Sequence, residues 1–394
     1  MSNPMKVPLL DLKAQYASLK QELVAALLSV AESQAFIMGP DVKQFEEEVA
    51  QYCAIPHAIS CASGSDALLL ALMALEVKAG DEVICPSYTF FATAGAISRV
   101  GAVPVFADID PATYNVSAAT IRKALTRCTR LKAIIPVHLY GQSVDTPAIK
   151  EIADELKVPV IEDAAQAIGS QDVHGNMAGQ IGAVGCFSFF PSKNLGGFGD
   201  GGLVATCSSD LAEKLRILRV HGSKPKYYHK VIGINSRLDT IQAAILSVKL
   251  KYLDLWTKSR QRNATMYDEL FGAAGAQDSG VHLKQGALPL RTPLKPTGRA
   301  RHIYNQYVVR VPASIRDNVR EQLQKSGIAT EVYYPVPLHL QDCFSMLGYK
   351  PGTLPESESA AQETIALPIY PELTQVQIQY VAETVVSILK SSAR

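Results

Sequence analysis

One lysine of this sequence stands between an apolar run and a loop rich in glycine. Lys193 follows CFSFF (186–190), and five of the nine residues after it are glycine. The amine of a lysine becomes a useful nucleophile when apolar burial or a neighbouring cation lowers its pKa. Because an apolar run precedes Lys193, we expect its side chain to be partly buried. A lysine of this kind is the usual attachment point of pyridoxal 5′-phosphate, which it holds as a Schiff base.

That cofactor needs three further kinds of group, and the sequence offers each of them. A carboxylate must face the pyridine nitrogen, and Asp163 in IEDAAQ (161–166) is an acid at a predicted strand end. Donors must surround the phosphate, and SGSDA (63–67) provides backbone N–H groups and two hydroxyls at a predicted helix N-terminus. A flat surface must lie against the ring, and PSYTF (86–90) places aromatic residues just after a strand.

Each of these features also has an ordinary structural explanation. Most lysines are solvated surface charges, glycine-rich loops are commonly turns, and an aspartate at a strand end is often only a helix cap. Phe90 taken by itself is better explained as a core residue. The order of the four features along the chain, from anion turn through aromatic residue and acid to lysine, favours the cofactor site.

The segments around these residues alternate between strands and helices. Short apolar runs at 82–86, 104–108, 133–137, 158–164, 186–190 and 203–206 are separated by helical patterns, which predicts an α/β fold with a mostly parallel sheet covered on both faces. Ligands of such sheets bind beyond the carboxyl ends of the strands, where Asp163, Ser188 and Lys193 are expected. Apolar spacing predicts further helices over 12–32, 41–53 and 240–256.

A second, smaller domain is predicted after residue 256. The loop-rich segment 272–302 is followed by a predicted strand (305–312), a helix that ends at Gly327, another strand in IATEVYY (328–334) and a C-terminal helix (374–389). We therefore predict a large domain over residues 1–256 and a small α+β domain over 257–394.

Composition argues against several other classes of protein. The 394 residues carry 38 basic and 37 acidic side chains, so we expect neither nucleic acid nor a membrane as the main partner. Seven scattered cysteines without a CxxC pair favour reduced thiols, no metal site and a cytoplasmic location. No apolar stretch resembles a signal peptide or a membrane span.

The motifs also resemble a known family. They are similar in order and wording to those of the DegT/StrS-type, pyridoxal-phosphate-dependent sugar-nucleotide aminotransferases, over essentially the whole chain. The similar segments are PLLDLKAQY, GPDVKQFEEEVA, EDAAQAIGS, SFFPSKNLGGFGDGG, GINSRLDTIQAAIL and YYPVPLHLQ. The lysine segment and the NSRLD segment are the specific ones. The resemblance implies the aspartate aminotransferase-like architecture (fold type I) and a homodimer whose subunits share their active sites.

The resemblance further implies roles for individual residues. Lys193 would form the Schiff base, Asp163 would pair with the pyridine nitrogen, and both would be catalytic. The remaining cofactor contacts would be Gln166 at the ring hydroxyl, Phe90 against the ring, Gly64, Ser65 and Ser188 at the phosphate, and Asn235 reaching the phosphate from the neighbouring subunit.

The implied activity is ping-pong transamination from L-glutamate to a nucleotide-linked ketosugar. The wording is most similar to members that aminate C3, and we expect UDP-2-acetamido-3-amino-glucuronate as the product, for surface polysaccharide such as O-antigen. A dTDP-linked 3-keto-6-deoxyhexose or a 4-ketosugar is the alternative substrate. Expected substrate contacts are Arg237, Tyr333, Tyr334 and His339. Arg299, Arg301 and His302 are further candidate cations, and a solvated loop charge is an equally good explanation of each arginine.

Other classes of protein remain open at this point. Family members with histidine in place of the lysine are sugar dehydratases, but this chain has the lysine. Another fold type I enzyme, such as a lyase or a hydroxymethyltransferase, would share the lysine but not NSRLD. A transcriptional regulator would need a DNA-binding extension, for which there is no spare basic segment. A cofactor-free binding protein would stay colourless when pyridoxal phosphate is added.

Overall fold

We describe the protein from a computed structural model, in residues 5–280 and 287–392. The strands of this part of the chain are β1 (His57–Cys61), β2 (Glu82–Pro86), β3 (Val103–Ala107), β4 (Leu131–Ile134), β5 (Ile161–Asp163), β6 (Val184–Ser188), β7 (Gly202–Thr206), β8 (Gln277–Asp278), β9 (Arg291–Thr292), β10 (Tyr307–Arg310) and β11 (Thr364–Leu367). The helices are α1 (Leu12–Ser33), α2 (Pro40–Tyr52), α3 (Gly64–Ala74), α4 (Ala92–Arg99), α5 (Ala118–Leu125), α6 (Thr146–Leu156), α7 (Ser209–Leu218), α8 (Thr240–Leu250), α9 (Leu253–Ala273), α10 (Ala313–Lys325), α11 (Pro355–Glu363) and α12 (Gln375–Ser392). None of these helices is both long and apolar enough to span a membrane.

The first seven strands form one twisted layer in the order β3-β2-β4-β5-β6-β7-β1. Single parallel bridges, Ile134 to Val160 and Val137 to Asp163, join β4 to β5. Among these strands only β7 runs antiparallel to its two neighbours, β6 and β1. The structure therefore confirms the predicted α/β architecture with a mostly parallel sheet.

Helices cover both faces of this sheet because alternate residues of each strand point to opposite sides. In β7, Val204 packs into the core that contains residues of α3 and α7. Its neighbours Leu203 and Ala205 pack instead with residues of α2 and α8. A strand buried on both sides must be apolar throughout, which is why these strands appear in the sequence as continuous apolar runs.

The second sheet has the order β11-β10-β9-β8 and is covered by α9, α10 and α12. The predicted boundary between residues 256 and 257 falls inside α9, whose first residue Leu253 packs in the core of the first sheet. Tyr267 and Phe271 of the same helix pack in the core of the second. The division into two domains stays a prediction.

Several predicted elements differ from the structure. The single helix expected over 240–256 is two helices, because the Tyr252 N–H bonds to the Lys249 carbonyl and the chain turns before α9 begins. IATEVYY is not a strand, since it makes only single bridges, from Ile328 to Val7 and from Glu331 to Ala366. The sequence patterns did not predict β1 or β11.

The first testable consequence concerns Gly202. A Cβ atom at this position would lie 2.2 Å from the Ser63 carbonyl oxygen and 2.8 Å from the Gly64 nitrogen, both of them backbone atoms. Gly202→Ala is therefore expected to lower the free energy of unfolding by about 2 kcal/mol or more, measured by urea denaturation. Gly272→Ala is the control, because a Cβ at Gly272 in α9 would meet nothing within 4 Å. It should keep or raise stability, by up to about 1 kcal/mol. Equal stability of the two variants would contradict this account.

Candidate active site

The carboxyl ends of β2, β5 and β6 lie at one edge of the large sheet. Asp163 ends β5, Ser188 ends β6, and Lys193 follows five residues later. The antiparallel strand β7 starts at the same edge, with Gly202 opposite both Ser188 and Cys61. The topology therefore gathers the predicted acid, lysine and glycine loop at one edge, as expected for ligand sites in such sheets.

The turn that begins α3 lies against the end of β6. A Cβ on Gly64 would lie 2.6 Å from the Ser188 Cβ, so only glycine permits this approach. The Ser63 hydroxyl caps the helix by accepting a hydrogen bond from the Asp66 N–H at 3.1 Å. The N–H groups of Gly64 and Ser65, in the first turn, have no carbonyl partner within the helix. Together with the helix dipole they are suited to bind an anion, and we call residues 63–65 the anion-binding turn.

Asp163 is a buried carboxylate with two donors. Its Oδ2 accepts a hydrogen bond from the Thr93 hydroxyl at 2.8 Å, and its Oδ1 accepts one from the Ala165 N–H at 3.2 Å. Burial raises the pKa of Asp163, and these two donors together with the Lys193 ammonium oppose that rise. A carboxylate offers about four acceptor positions, so Asp163 retains room for a further donor.

Lys193 is half-buried, and its amine makes no hydrogen bond or ion pair to any of the residues described. Burial lowers its pKa to about 8, although the Asp163 carboxylate favours the charged form. A larger fraction of the amine is therefore neutral near neutral pH than in an exposed lysine, which is the state that attacks a carbonyl carbon.

The glycine loop after Lys193 is held by α8. The Gln242 Oε1 accepts a hydrogen bond from the Phe198 N–H at 2.8 Å, and the Lys249 amine donates to the Gly196 carbonyl at 2.7 Å. A Cβ on Gly197 would lie 2.7 Å from the Gln242 Oε1. The loop therefore packs against α8.

Aromatic residues that include Phe90 and Tyr334 lie together near this edge of the sheet. Phe90 follows β2 with 54% of its surface exposed, so it is not the core residue that its sequence context favoured. Its ring centroid lies 5.8 Å from that of Tyr334. The Gln166 Nε2 donates to the Tyr334 hydroxyl at 3.2 Å, and its Oε1 accepts from the Tyr140 N–H at 2.7 Å. Tyr333 is also half-buried, and its carbonyl accepts a hydrogen bond from the Tyr140 hydroxyl.

Asn235 ends an exposed arm, residues 221–235, and Arg237 lies two residues beyond it. Backbone bridges from Val220 to Asn235 and from Ser223 to His229 fold the arm back on itself. Asn235 is exposed and Arg237 is half-buried. Between them Ser236 is buried, and its hydroxyl accepts a hydrogen bond from the Ala62 N–H at 3.2 Å. The root of the arm is thus tied directly to the anion-binding turn.

His339 does not have the geometry of a substrate contact. Its side chain is fully buried, with Nδ1 2.6 Å from the Ser87 hydroxyl and Nε2 3.1 Å from Glu358. Both ring nitrogens are therefore engaged. The segment around it instead fixes the loop after β2, because the Leu338 N–H also donates to the Ser87 carbonyl at 2.7 Å.

The predicted cations around residue 300 also differ from expectation. His302 is buried and stacked on Tyr304, and burial lowers its pKa to about 3, so it is neutral. Arg301 forms an ion pair with Asp254 at 2.6 Å. Arg299 is exposed, and a Cβ on Gly175 would lie 3.2 Å from its Cδ. Arg299 is therefore the member of this group whose charge is not already paired among the described residues.

The sequence reasoning missed two buried groups near the site. Thr93, which contacts Asp163, lies in no recognisable motif. Glu162 is fully buried on the opposite face of β5, where it accepts hydrogen bonds from the N–H groups of Gly179, Ile181 and Gly182 and from His138 Nε2. These four donors shape the segment that leads into β6. Only Glu162's position next to Asp163 in IEDAAQ pointed toward it.

The influence of Asp163 on Lys193 can be measured in the cofactor-free protein. Asp163→Asn should lower the pKa of Lys193 below its value of about 8, because the carboxylate that favours the ammonium form is lost. NMR titration of isotope-labelled lysine side chains follows this change. Lys249 is the internal control, since burial alone lowers its pKa to about 8. A Lys193 titration that stays in place or moves upward would show that the carboxylate does not act on it.

Comparison with known sequences gives a consistent result. The sequence profile of the DegT/DnrJ/EryC1/StrS aminotransferase family matches residues 17–386. A Geobacillus stearothermophilus protein named pleiotropic regulatory protein is 50% identical over 99% of this chain and 100% of its own. The UDP-N-acetyl-3-dehydro-alpha-D-glucosamine 3-aminotransferase of Acidithiobacillus ferrooxidans is 42% identical over 98% of both chains. The UDP-2-acetamido-2-deoxy-3-oxo-D-glucuronate aminotransferase of Pseudomonas aeruginosa is 39% identical over 95% of this chain and 98% of its own.

Solved structures agree with the sequence comparison. DesV of S. venezuelae, solved in complex with a ketimine intermediate, superposes with a TM-score of 0.90 at 39% identity, covering 98% of this chain and 99% of that one. NtdA of Bacillus subtilis, solved with bound cofactor PMP, superposes with a TM-score of 0.88 at 30% identity, covering 98% of this chain and 85% of that one. The similarity extends over nearly the whole of the chain.

Proposed function

The chain belongs to the DegT/DnrJ/EryC1/StrS aminotransferase family, and from this premise we propose that it transfers the amino group of L-glutamate to C3 of a nucleotide-linked 3-ketosugar. The enzymes of this family are pyridoxal-phosphate-dependent sugar aminotransferases. The observation that carries the proposal is the meeting of a buried acid, Asp163, and an unpaired amine, Lys193, beside an anion-binding turn.

The residues at this edge of the sheet fit the cofactor. We assign its phosphate to Gly64, Ser65 and Ser188, since the close approach at Gly64 brings the first turn of α3 next to the Ser188 side chain. We assign the ring face to the exposed Phe90 and the ring hydroxyl to Gln166. When bound, pyridoxal phosphate supplies an aldehyde that carries the amino group and a ring that withdraws electrons from the reacting carbon.

Two residues of the chain would act directly on the reaction. Lys193 would hold the cofactor covalently, and its amine, when free, would accept the proton from Cα of the amino donor and return a proton to the sugar carbon. Its lowered pKa suits both directions of this transfer. Asp163 would hold the proton on the ring nitrogen, and its burial strengthens that ion pair.

We propose UDP-2-acetamido-3-keto-glucuronate as the sugar substrate, for surface polysaccharide. Support comes from the relative that acts on this sugar and from the cations Arg237 and Arg299, with Tyr333 and Tyr334 as further contacts. UDP-2-acetamido-3-keto-glucose, whose sugar ring carries no carboxylate, is the second candidate. It is favoured by the pairing of Arg301 with Asp254 and by the neutrality of His302, which leave fewer cations for a uronate.

We also propose that two subunits share each active site in a homodimer. The arm carries bulky apolar side chains into solvent, with Tyr227 at 78% and Ile232 at 91% exposure, which a second copy of the chain would cover. In this arrangement Asn235 of one subunit reaches the phosphate in the other. The unpaired thiols fit a reducing compartment, and we therefore propose a cytoplasmic location.

A substrate panel tests the proposed reaction. The protein is given L-glutamate and, in turn, the two UDP-linked 3-ketosugars, a dTDP-linked 3-keto-6-deoxyhexose and a 4-ketosugar, and the aminosugar is quantified by mass spectrometry. We expect kcat/KM to be about tenfold or more higher for the glucuronate than for its uncharged counterpart, the size of one charge-assisted contact. Lys193→Ala, the control, should give no product. A preference for the uncharged sugar would favour the second candidate, and turnover of none of the four would overturn the proposal.

Mixed dimers test the sharing of sites. Lys193→Ala and Asn235→Asp are each expected to be inactive, the second because a new carboxylate repels the phosphate. In a mixed dimer, one of the two sites contains both an intact Lys193 and an intact Asn235 if these come from different subunits. Unfolding and refolding the two variants together should then restore up to about a quarter of the wild-type rate, since half of the dimers are mixed. No recovery would mean that Asn235 acts within its own subunit.

A further inference from the structure

We propose that Thr93 is a positioning residue that joins the acid facing the cofactor ring to the aromatic residue lying against it. This inference rests on the proposed roles of Asp163 and Phe90. Thr93 is fully buried in the first turn of α4. Its hydroxyl donates to the Asp163 Oδ2 at 2.8 Å, and its backbone N–H donates to the Phe90 carbonyl at 3.3 Å. Thr93 thus links Asp163, which is proposed to pair with the ring nitrogen, to Phe90, which is proposed to lie against the face of the ring.

No other side chain among the described residues hydrogen-bonds to the Asp163 carboxylate. His138 is occupied elsewhere, because its Nδ1 accepts from the Val144 N–H and its Nε2 donates to Glu162. Lys193 acts on Asp163 through charge alone. The ionisable groups that face Asp163 from the neighbouring strands and loops are Lys193, His138, Tyr334, Cys85 and Cys186.

The hydroxyl has two effects on the carboxylate. It fixes the orientation of the Asp163 carboxylate, whose remaining acceptor positions then face a defined direction. It also favours the ionised form, since a donor to a carboxylate lowers its pKa. A carboxylate without this donor would rotate more freely and would stay protonated to a higher pH, and both changes weaken its pairing with a protonated ring nitrogen.

The neighbouring threonine shows that the geometry is specific. The Thr89 hydroxyl lies 3.4 Å from the Thr93 hydroxyl and hydrogen-bonds to no carboxylate. Thr89 belongs to the loop after β2, in which Ser87 contacts His339 and Tyr88 contacts Thr364. These contacts hold the loop, and the Thr93 hydroxyl links the start of α4, which follows the loop, to Asp163 of β5.

The test compares Thr93→Val with Thr93→Ser in full-length protein reconstituted with pyridoxal phosphate. Valine keeps the shape and the backbone bond but removes the donor, whereas serine keeps the donor. We expect Thr93→Val to raise the dissociation constant of the cofactor by about 10- to 100-fold, the cost of a hydrogen bond to a charged group. Thr93→Ser should restore most of the affinity. Titration of cofactor-free protein, followed by visible absorbance, gives these constants without reference to turnover.

The pH dependence of binding separates positioning from general destabilisation. Because Thr93 lowers the pKa of Asp163, the loss of cofactor affinity on acidification should begin at a higher pH in Thr93→Val. The control is Thr206→Val, which removes a buried hydroxyl that donates to the Ala183 carbonyl at the opposite end of β7. It should lower the melting temperature without changing the cofactor affinity or the pH at which that affinity is lost on acidification.

The outcomes distinguish this inference from the proposed reaction. If Thr93→Val bound the cofactor with wild-type affinity and lost it at the same pH as the wild type, the role of Thr93 would be overturned. The proposed transamination would not be affected. Equal losses in Thr93→Val, Thr93→Ser and Thr206→Val would also overturn it, since the cause would then be destabilisation. A wild-type protein that binds the cofactor but aminates no ketosugar would contradict the proposed reaction and leave the Thr93 measurements valid.

Discussion

The site depends on how closely three backbone segments approach each other. Gly64, Ser188 and Gly202 meet where the α3 turn, the end of β6 and the start of β7 converge, at distances that exclude a Cβ on either glycine. Separating these segments by the width of one methyl group would move the anion-binding turn away from the edge that carries Asp163 and Lys193. The reversed direction of β7 is what brings Gly202 to this edge. The close approach of these segments therefore requires both the reversed direction of β7 and glycine at positions 64 and 202.

Two adjacent acids show how the same strand provides both structure and chemistry. Glu162 and Asp163 lie on opposite faces of β5, and both are buried. Glu162 receives four donors, so its acceptor positions are filled and its role is to hold neighbouring backbone. Asp163 receives only two. A buried charge is costly unless it is fully hydrogen-bonded, and the incomplete set around Asp163 favours binding of a cationic group.

The sequence predicted what local patterns encode. Asp163, Ser188 and Lys193 each lie at or just after the end of a predicted strand, so the strand pattern predicted that they would meet at one edge. The SGSDA turn follows β1, which the sequence patterns did not predict. Contacts between distant segments left no such pattern. His339 and Ser87 are 252 residues apart, and Thr93 and Asp163 are 70 apart. The neutrality of His302 and the exposure of Phe90 likewise depend on which segments cover them.

The buried hydroxyl of Ser236 has a consequence beyond its own hydrogen bond. It anchors the root of the arm to the N–H of Ala62, one residue before the cap of the anion-binding turn. In the proposed homodimer, a ligand that orders the turn would therefore restrict the arm, and a second subunit that contacts the arm would restrict the turn. Thermodynamic linkage makes such coupling reciprocal. In that homodimer, association would strengthen the binding of a phosphate by the same factor by which the phosphate strengthens association. Dilution would then deplete the protein of its cofactor, and saturation with cofactor would hold the assembly together.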